Sequence, residues 1–220
     1  MSSISRREFL GAAVAGTAAM SVFPPSLRCE QQVKQNMIGK TPHTKFAVNI
    51  EMWWTKLPFL DRIREAANLG FPAVEFWPYD NKDLPAIAKL SEELDIEIAQ
   101  FTAWGFAPGM NNPKNEDAFV QTIEEGCQAA KVVNARKMCV VAGNKQKGMT
   151  QEAMLAQVTK ALKRAAPVAE KHEVMLILEP MNGRVDHPGH CLYGSTDALR
   201  ICREVDSPMV KINWDLYHMQ

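Results

Sequence analysis

The chain reads VMLILEPMN from Val174 to Asn182, an unbroken apolar run that ends in the carboxylate of Glu179. Such a run is typical of a strand that is buried on both faces in a parallel sheet. A carboxylate at its end is costly to bury unless it is paired, protonated or bound to a cation. We therefore predict that Glu179 binds a divalent metal. A carboxylate paired with Lys or Arg of a neighbouring strand is the alternative.

The same pattern returns at KINWDLYH, residues 211–218, where a second strand-like run leads into Asp215. Adjacent strands lie ~4.8 Å apart, so Glu179 and Asp215 are predicted to share one ion. Hard carboxylate oxygens suit Mg or Mn, and a nearby histidine shifts the preference towards Co or Zn. His218 is predicted to face the same pocket. A helix cap on the following loop is the alternative for Asp215.

Short apolar runs alternate with segments of helical period from Lys45 onward, which predicts an α/β fold built of strand-helix units around a parallel sheet. We expect the fourth helix to be interrupted or kinked near Pro167. The predicted strands are 46–50, 73–77, 97–102, 137–141, 174–178 and 209–214, and the predicted helices are 58–69, 83–94, 116–133, 150–171 and 195–204.

Two architectures accommodate these elements. A TIM (β/α)8 barrel closes with eight units and typically ~250 residues, so this fold implies a barrel truncated after the sixth strand. An open doubly wound sheet fits six strands, but the glycine-rich phosphate loop that often follows its first strand is absent from the sequence. We favour the truncated barrel.

Composition and charge favour a small-molecule enzyme or a neutral binding module. With 220 residues, 46% of them apolar, the chain is expected to form one domain over residues 43–220. Lys plus Arg and Asp plus Glu both total 25, so we expect no nucleic-acid partner. Cys139 and Cys202 lie in apolar runs, where small buried hydrophobes without a catalytic role are predicted.

The first residues are predicted to direct export. Arg6 and Arg7 precede a short, weakly apolar stretch at 12–23, a pattern typical of twin-arginine signals in bacteria. About a dozen residues are too few for a permanent span, which takes ~20. We predict a twin-arginine signal peptide and linker at 1–42, a periplasmic location and no stable membrane span after signal removal. A chance Arg-Arg pair before an ordinary helix is the alternative.

Further polar and aromatic residues lie in or near the predicted strand ends, where β/α barrels carry their chemistry. Glu75 in the second strand is predicted to contact a substrate. Trp104 follows the third strand, and its indole face would pack on the apolar face of a sugar. Barrel packing is the alternative for Trp104.

The loop NGRVDHPGH, residues 182–190, is polar, rich in turn formers and too long for a simple link. Asn182, Arg184 and His187 are predicted to grip the substrate from this loop. A solvated turn is the alternative.

Several of these phrases resemble one family. LEPMN at 178–182, VDHPG at 185–189 and DLYHMQ at 215–220 are similar to motifs of the hydroxypyruvate isomerase-like branch of the xylose isomerase-like barrels. AVEFW at 73–77 and FTAWG at 101–105 look like it too. The resemblance covers residues 45–220.

The resemblance implies a divalent metal held by a glutamate, an aspartate, a histidine or glutamine, and a second glutamate. Glu179 and Asp215 match the first two, and His218 matches a residue that contacts substrate oxygens; the other ligands would come from strands seven and eight. The implied reaction is the isomerisation or epimerisation of a sugar or hydroxy-keto acid by proton transfer through an enediolate. Glu179 would be both ligand and acid/base group, with Arg184 and His187 as further substrate contacts.

Two other functions fit the sequence less well. An AP endonuclease-like metal phosphodiesterase shares the barrel but needs a larger ligand set and usually a basic face. A non-catalytic exported sugar-binding protein needs no metal. The sequence is compatible with a homo-oligomer, and it does not choose between hydroxypyruvate, tagatose-like ketoses and inositol derivatives as the substrate.

Overall fold

A computed structural model describes residues 41–220, in which six strands alternate with five helices. Every predicted strand and helix is present, and two of them, the third helix and the fourth strand, have the predicted bounds. The elements are β1 (Ala47–Asn49), α1 (Phe59–Asn68), β2 (Ala73–Phe76), α2 (Leu84–Leu94), β3 (Glu97–Trp104), α3 (Glu116–Val133), β4 (Lys137–Val141), α4 (Gln151–His172), β5 (Met175–Glu179), α5 (Ser195–Val205) and β6 (Val210–Ile212), with a short 3-10 turn at Pro113–Asn115 before α3.

The six strands form one parallel sheet in which each strand pairs with the next one along the chain. Because crossovers between parallel strands are right-handed, this monotonic order places all the helices on one face of the sheet. Each helix accordingly packs against its successor. A doubly wound sheet would reverse its strand order part-way, so the observed order is that of a β/α barrel, as predicted.

The α4 helix runs unbroken through Pro167. Our expectation of an interruption there was wrong. Proline removes one backbone donor from a helix interior, but α4 packs against α3, α5 and β5 along its length, and this burial outweighs the missing hydrogen bond. The helix begins at a Thr150 cap, whose hydroxyl accepts from the Ala153 N–H at 3.1 Å.

Side chains of the strands alternate between two cores. Met138 and Val140 of β4 face the helices and belong to the large core. Cys139 and Val141 face the other way, into a small cluster on the inner face of the sheet that also contains Ile177. In a barrel this inner face is the interior, so polar residues on it are candidates for function.

The predicted signal peptide falls almost wholly in residues 1–40, outside the described part of the chain, and stays a prediction. None of the helices between residues 41 and 220 is long and apolar enough to cross a bilayer.

A buried carboxylate connects α3 to α4. Glu116, only 6% exposed, accepts from Gln157 Nε2 and Arg164 Nη1, both at 2.8 Å, and lies 3.0 Å from Lys160 Nζ. The hydrogen bond from Gln157, followed by those from Arg164 and Lys160, lowers the pKa of Glu116 to about 2. The carboxylate therefore stays ionised and paired at neutral pH.

We predict that Glu116→Gln lowers the free energy of unfolding at pH 7 by about 1–3 kcal/mol, because the buried Gln157 amide loses its charged acceptor and the more exposed Arg164 and Lys160 lose an ion-pair partner. Urea unfolding checks this. The matched control is Asp117→Asn, which removes the neighbouring, exposed partner of Arg164 and should change stability by less than about 0.5 kcal/mol. Equal effects of the two substitutions would contradict the prediction.

Candidate functional site

Three polar side chains meet at the carboxyl ends of β5 and β6. One oxygen of Glu179, one of Asp215 and one ring nitrogen of His218 all lie within 4.8 Å of one another. The strand pairing explains this, because β5 and β6 are direct neighbours and their ends open onto the same edge of the sheet. We call this group the carboxylate cluster.

Glu179 is the least solvated carboxylate of this cluster. Burial raises its pKa, and a thiol hydrogen bond from Cys139, 3.1 Å from Oε2, partly offsets this shift. Repulsion from the Asp215 carboxylate raises the pKa of Glu179 further. Among residues 41–220, no Lys or Arg forms an ion pair with Glu179, so the predicted alternative of a Lys or Arg partner does not apply to the described residues. A cation beside two such oxygens would remove this electrostatic cost.

Asp215 divides its two oxygens between two tasks. Oδ1 accepts from the Tyr217 N–H at 2.8 Å. Residues 216–219 form a turn rather than a helix, so this contact closes a turn and is not the helix cap given as the alternative. Oδ2 lies 3.8 Å from His218 Nε2. One oxygen of Asp215 therefore remains for a ligand.

His218 is oriented by the backbone of the loop that follows β5. Its Nδ1 accepts from the Asn182 N–H at 3.3 Å. A neutral ring with an accepting Nδ1 carries its proton on Nε2. A protonated nitrogen donates to an oxygen and does not bind a cation, so this arrangement suits a contact with a substrate oxygen.

The loop after β5 brings one further predicted residue to the cluster. The His187 ring lies 5.4 Å from the His218 ring and 4.7 Å from the Phe106 ring. Arg184 is exposed, with its guanidinium 5.2 Å from the Tyr193 ring. Phe106 was not among the predicted site residues, and only its position just after the third strand could have indicated it.

Asn182 shapes this loop. Its side chain is buried, and Oδ1 accepts from the N–H groups of Arg184 and Val185 at 3.0 and 3.2 Å. This local turn sets the direction in which the chain leaves β5. The Asn182 backbone N–H then orients His218, so Asn182 contributes to the site by positioning that ring.

His190 ties the loop after β5 to the loop after β4. It is 3% exposed; Nε2 accepts from the Gly143 N–H at 3.2 Å, and Nδ1 donates to the Leu192 carbonyl at 2.8 Å. Burial lowers the pKa of His190 to about 4. The ring is therefore neutral at physiological pH and structural.

Glu75 lies on the inner face of β2 between two amides. Asn49 Nδ2 donates to Oε1 at 2.9 Å, and Gln100 Nε2 donates to Oε2. Val74 and Phe76, on either side of it in β2, belong to the large core, which places Glu75 on the same inner face as the carboxylate cluster. Gln100 was missed, although a glutamine inside a predicted strand was a signal.

Trp104 does not join these residues. It lies in β3, which extends two residues beyond the predicted end, and a register irregularity between Thr102 and Trp104 alters the alternation. The indole packs edge-on against Phe119, 5.2 Å between ring centroids, in the core between sheet and helices.

A comparison with protein families agrees with this geometry. Residues 63–220 match the sequence profile of the xylose isomerase-like TIM barrel. The chain belongs to the xylose isomerase-like TIM barrel family. The fold predicted from the sequence is thereby confirmed.

Curated relatives of this xylose isomerase-like chain include two bacterial enzymes. It is 32% identical to the 2-oxo-tetronate isomerase of Cupriavidus necator and 29% identical to the hydroxypyruvate isomerase of Escherichia coli K12. Each alignment covers 80% of this chain and 70% of the relative. Both relatives are isomerases, which supports the enzyme class predicted for this protein.

Among solved structures, the chain resembles a Brucella melitensis protein described as an AP endonuclease, family 2. The TM-score is 0.73 at 26% identity, covering 80% of this chain and 69% of that one.

We predict that His190 makes the protein acid-sensitive. Its folded pKa of about 4 lies below the ordinary value of about 6.5, so the unfolded chain binds the proton more readily. The contribution of the neutral His190 ring to the free energy of unfolding is fully present above pH 6.5. It falls by about 2–3 kcal/mol on acidification to pH 4.5. Urea unfolding of the wild-type protein and of His190→Gln, each at pH 7 and at pH 4.5, isolates this contribution.

The His190→Gln variant should be less stable than the wild type at pH 7, but its free energy of unfolding should fall less on acidification. An identical loss in both proteins would show that His190 is not the titrating group.

Proposed function

We propose that this protein is a metal-dependent isomerase of small hydroxy-keto acids or sugars. The observation that carries the proposal is the carboxylate cluster, in which Glu179 and Asp215 meet without a Lys or Arg partner among the described residues. The relatives act on hydroxypyruvate and 2-oxo-tetronate. We propose that this chain takes a substrate of the same class, with a carbonyl beside a hydroxyl-bearing carbon.

Glu179 and Asp215 would hold the divalent cation, each through one oxygen. Carboxylate oxygens suit Mg or Mn, and Co or Zn would also bind. When bound, the ion would polarise the carbonyl and hydroxyl oxygens of the substrate and so acidify the hydrogen on the hydroxyl-bearing carbon.

Glu179 would also move the proton. It would take the proton from the hydroxyl-bearing carbon to give an enediolate of the substrate, and return it to the former carbonyl carbon, while the hydroxyl proton passes to the former carbonyl oxygen. His218 would donate its Nε2 proton to a substrate oxygen, and the rings of His187 and Phe106 would wall the pocket.

The alternatives have less support. An AP endonuclease that uses several metal ions needs more ligands than one cluster. Within residues 41–220 the carboxylate cluster is the one group of three His, Cys, Asp or Glu ligand atoms close enough to hold an ion. A sugar-binding protein without catalysis gives no reason to bury an unpaired Glu179.

We also propose that the protein acts in the periplasm. This rests on the twin arginines Arg6 and Arg7 and the short apolar stretch behind them. The twin-arginine route delivers folded proteins, as resemblance to such signals implies, so a metal would be loaded before export.

We predict that Glu179→Gln and Asp215→Asn each lower kcat/KM for the isomerisation of hydroxypyruvate or 2-oxo-tetronate by at least about a hundredfold, because one loses a proton carrier and both lose a cation ligand. Asp80→Asn, an exposed carboxylate after β2, is the control and should stay within about twofold. Full activity of Glu179→Gln, or of the wild type after exhaustive chelation, would rule out the proposed function.

A second prediction separates the roles of His218. If Nε2 donates to the substrate, His218→Gln should lower kcat at least about tenfold while the Mn²⁺ dissociation constant changes by less than about threefold. Isothermal titration with Mn²⁺ and steady-state kinetics measure both quantities. A Mn²⁺ affinity that falls more than tenfold would make His218 a metal ligand instead.

A further inference from the structure

Cys139 is in contact with the carboxylate that the proposed function depends on. Its Sγ lies 3.1 Å from Glu179 Oε2, within hydrogen-bond distance for sulfur. The thiol is buried, with the residue 5% exposed, so its hydrogen has few other acceptors. An ionised carboxylate only accepts hydrogen bonds, and the thiol is therefore the donor.

The strand register produces this contact. In the β4–β5 pair, Cys139 lies opposite Ile177 and Val141 lies opposite Glu179. Cys139 is thus two residues before the position that faces Glu179, on the same inner face, and its thiol meets the carboxylate from the side of the sheet interior. Asn213, just after β6, adjoins both groups.

We propose that Cys139 is a positioning residue for Glu179. Its thiol holds Oε2 and so fixes the orientation of the carboxylate beside Asp215, which preorganises the pair of carboxylates for a cation. The inference rests on the proposed function, because it assumes that Glu179 and Asp215 hold the metal. It gives this cysteine a task that its apolar sequence context did not predict.

The thiol would raise the metal affinity by fixing the orientation of the Glu179 carboxylate. A carboxylate at the end of a strand can rotate about its last bond, and each rotation moves both oxygens. Partners that hold a metal-binding side chain typically contribute ten- to a hundredfold to metal affinity. Because a thiol is a weak donor, we expect the lower end of this range for Cys139.

The protein contains a matched control. Cys127 lies in α3, is fully buried and belongs to the core on the helix side of the sheet. Cys127→Ala removes the same sulfur from a packed position without touching Glu179. A loss that arises from packing alone would appear in both alanine variants.

The test is Mn²⁺ binding by isothermal titration to the purified protein, with thermal unfolding of the metal-free form beside it. We expect Cys139→Ala to raise the Mn²⁺ dissociation constant about tenfold. Cys139→Ser keeps a donor and should stay within about threefold of the wild type, and Cys127→Ala within about twofold. Cys139→Val, an apolar side chain of similar volume, replaces the alanine variant if that one does not fold.

The outcomes separate the two claims. Wild-type affinity in Cys139→Ala or Cys139→Val overturns the positioning role and leaves the proposed function intact. Equal weakening in Cys139→Ser and Cys139→Ala also overturns it, because the donor would then be irrelevant. A wild-type protein that binds no Mn²⁺ overturns the proposed function itself, and the positioning role with it.

Discussion

The pairing of each strand with its successor in the chain is the constraint on which the site depends. It makes β5 the neighbour of both β4 and β6. Glu179 at the end of β5 therefore has a β4 side chain, Cys139, on one side and Asp215, beyond β6, on the other. A different strand order would leave Glu179 buried without either partner, at a cost that a stable fold does not tolerate. The carboxylate cluster is thus a consequence of the topology.

The loops above the sheet fix the remaining groups through backbone hydrogen bonds. His190 joins the loop after β5 to Gly143 in the loop after β4. Asn182 holds its own turn through Oδ1 and orients His218 through its N–H. The groups that would meet a substrate are thus held by neighbours rather than by their own rotamer preferences, which is the arrangement that precise chemistry requires.

The sequence predicted the elements well where the apolar pattern was decisive. The bounds of α3 and β4 follow directly from it, and the two carboxylates were evident because each ends an apolar run. The prediction failed where tertiary packing overrides local preference, as at Pro167 in α4. Trp104 illustrates another limit, since an irregular register in β3 decides which way its indole points. The contact of Cys139 with Glu179 was not predictable, because it depends on the register between two strands that are distant in sequence.

We propose that Glu179 and Asp215 hold one divalent cation between them. Crystals of the protein grown with Mn²⁺ and measured near the manganese absorption edge test it most directly, because the anomalous signal locates the ion independently of the protein. We expect a single strong peak within coordination distance, about 2.0–2.5 Å, of one oxygen from each of these two residues. A fully occupied manganese elsewhere in the molecule, with no peak beside Glu179, would contradict it.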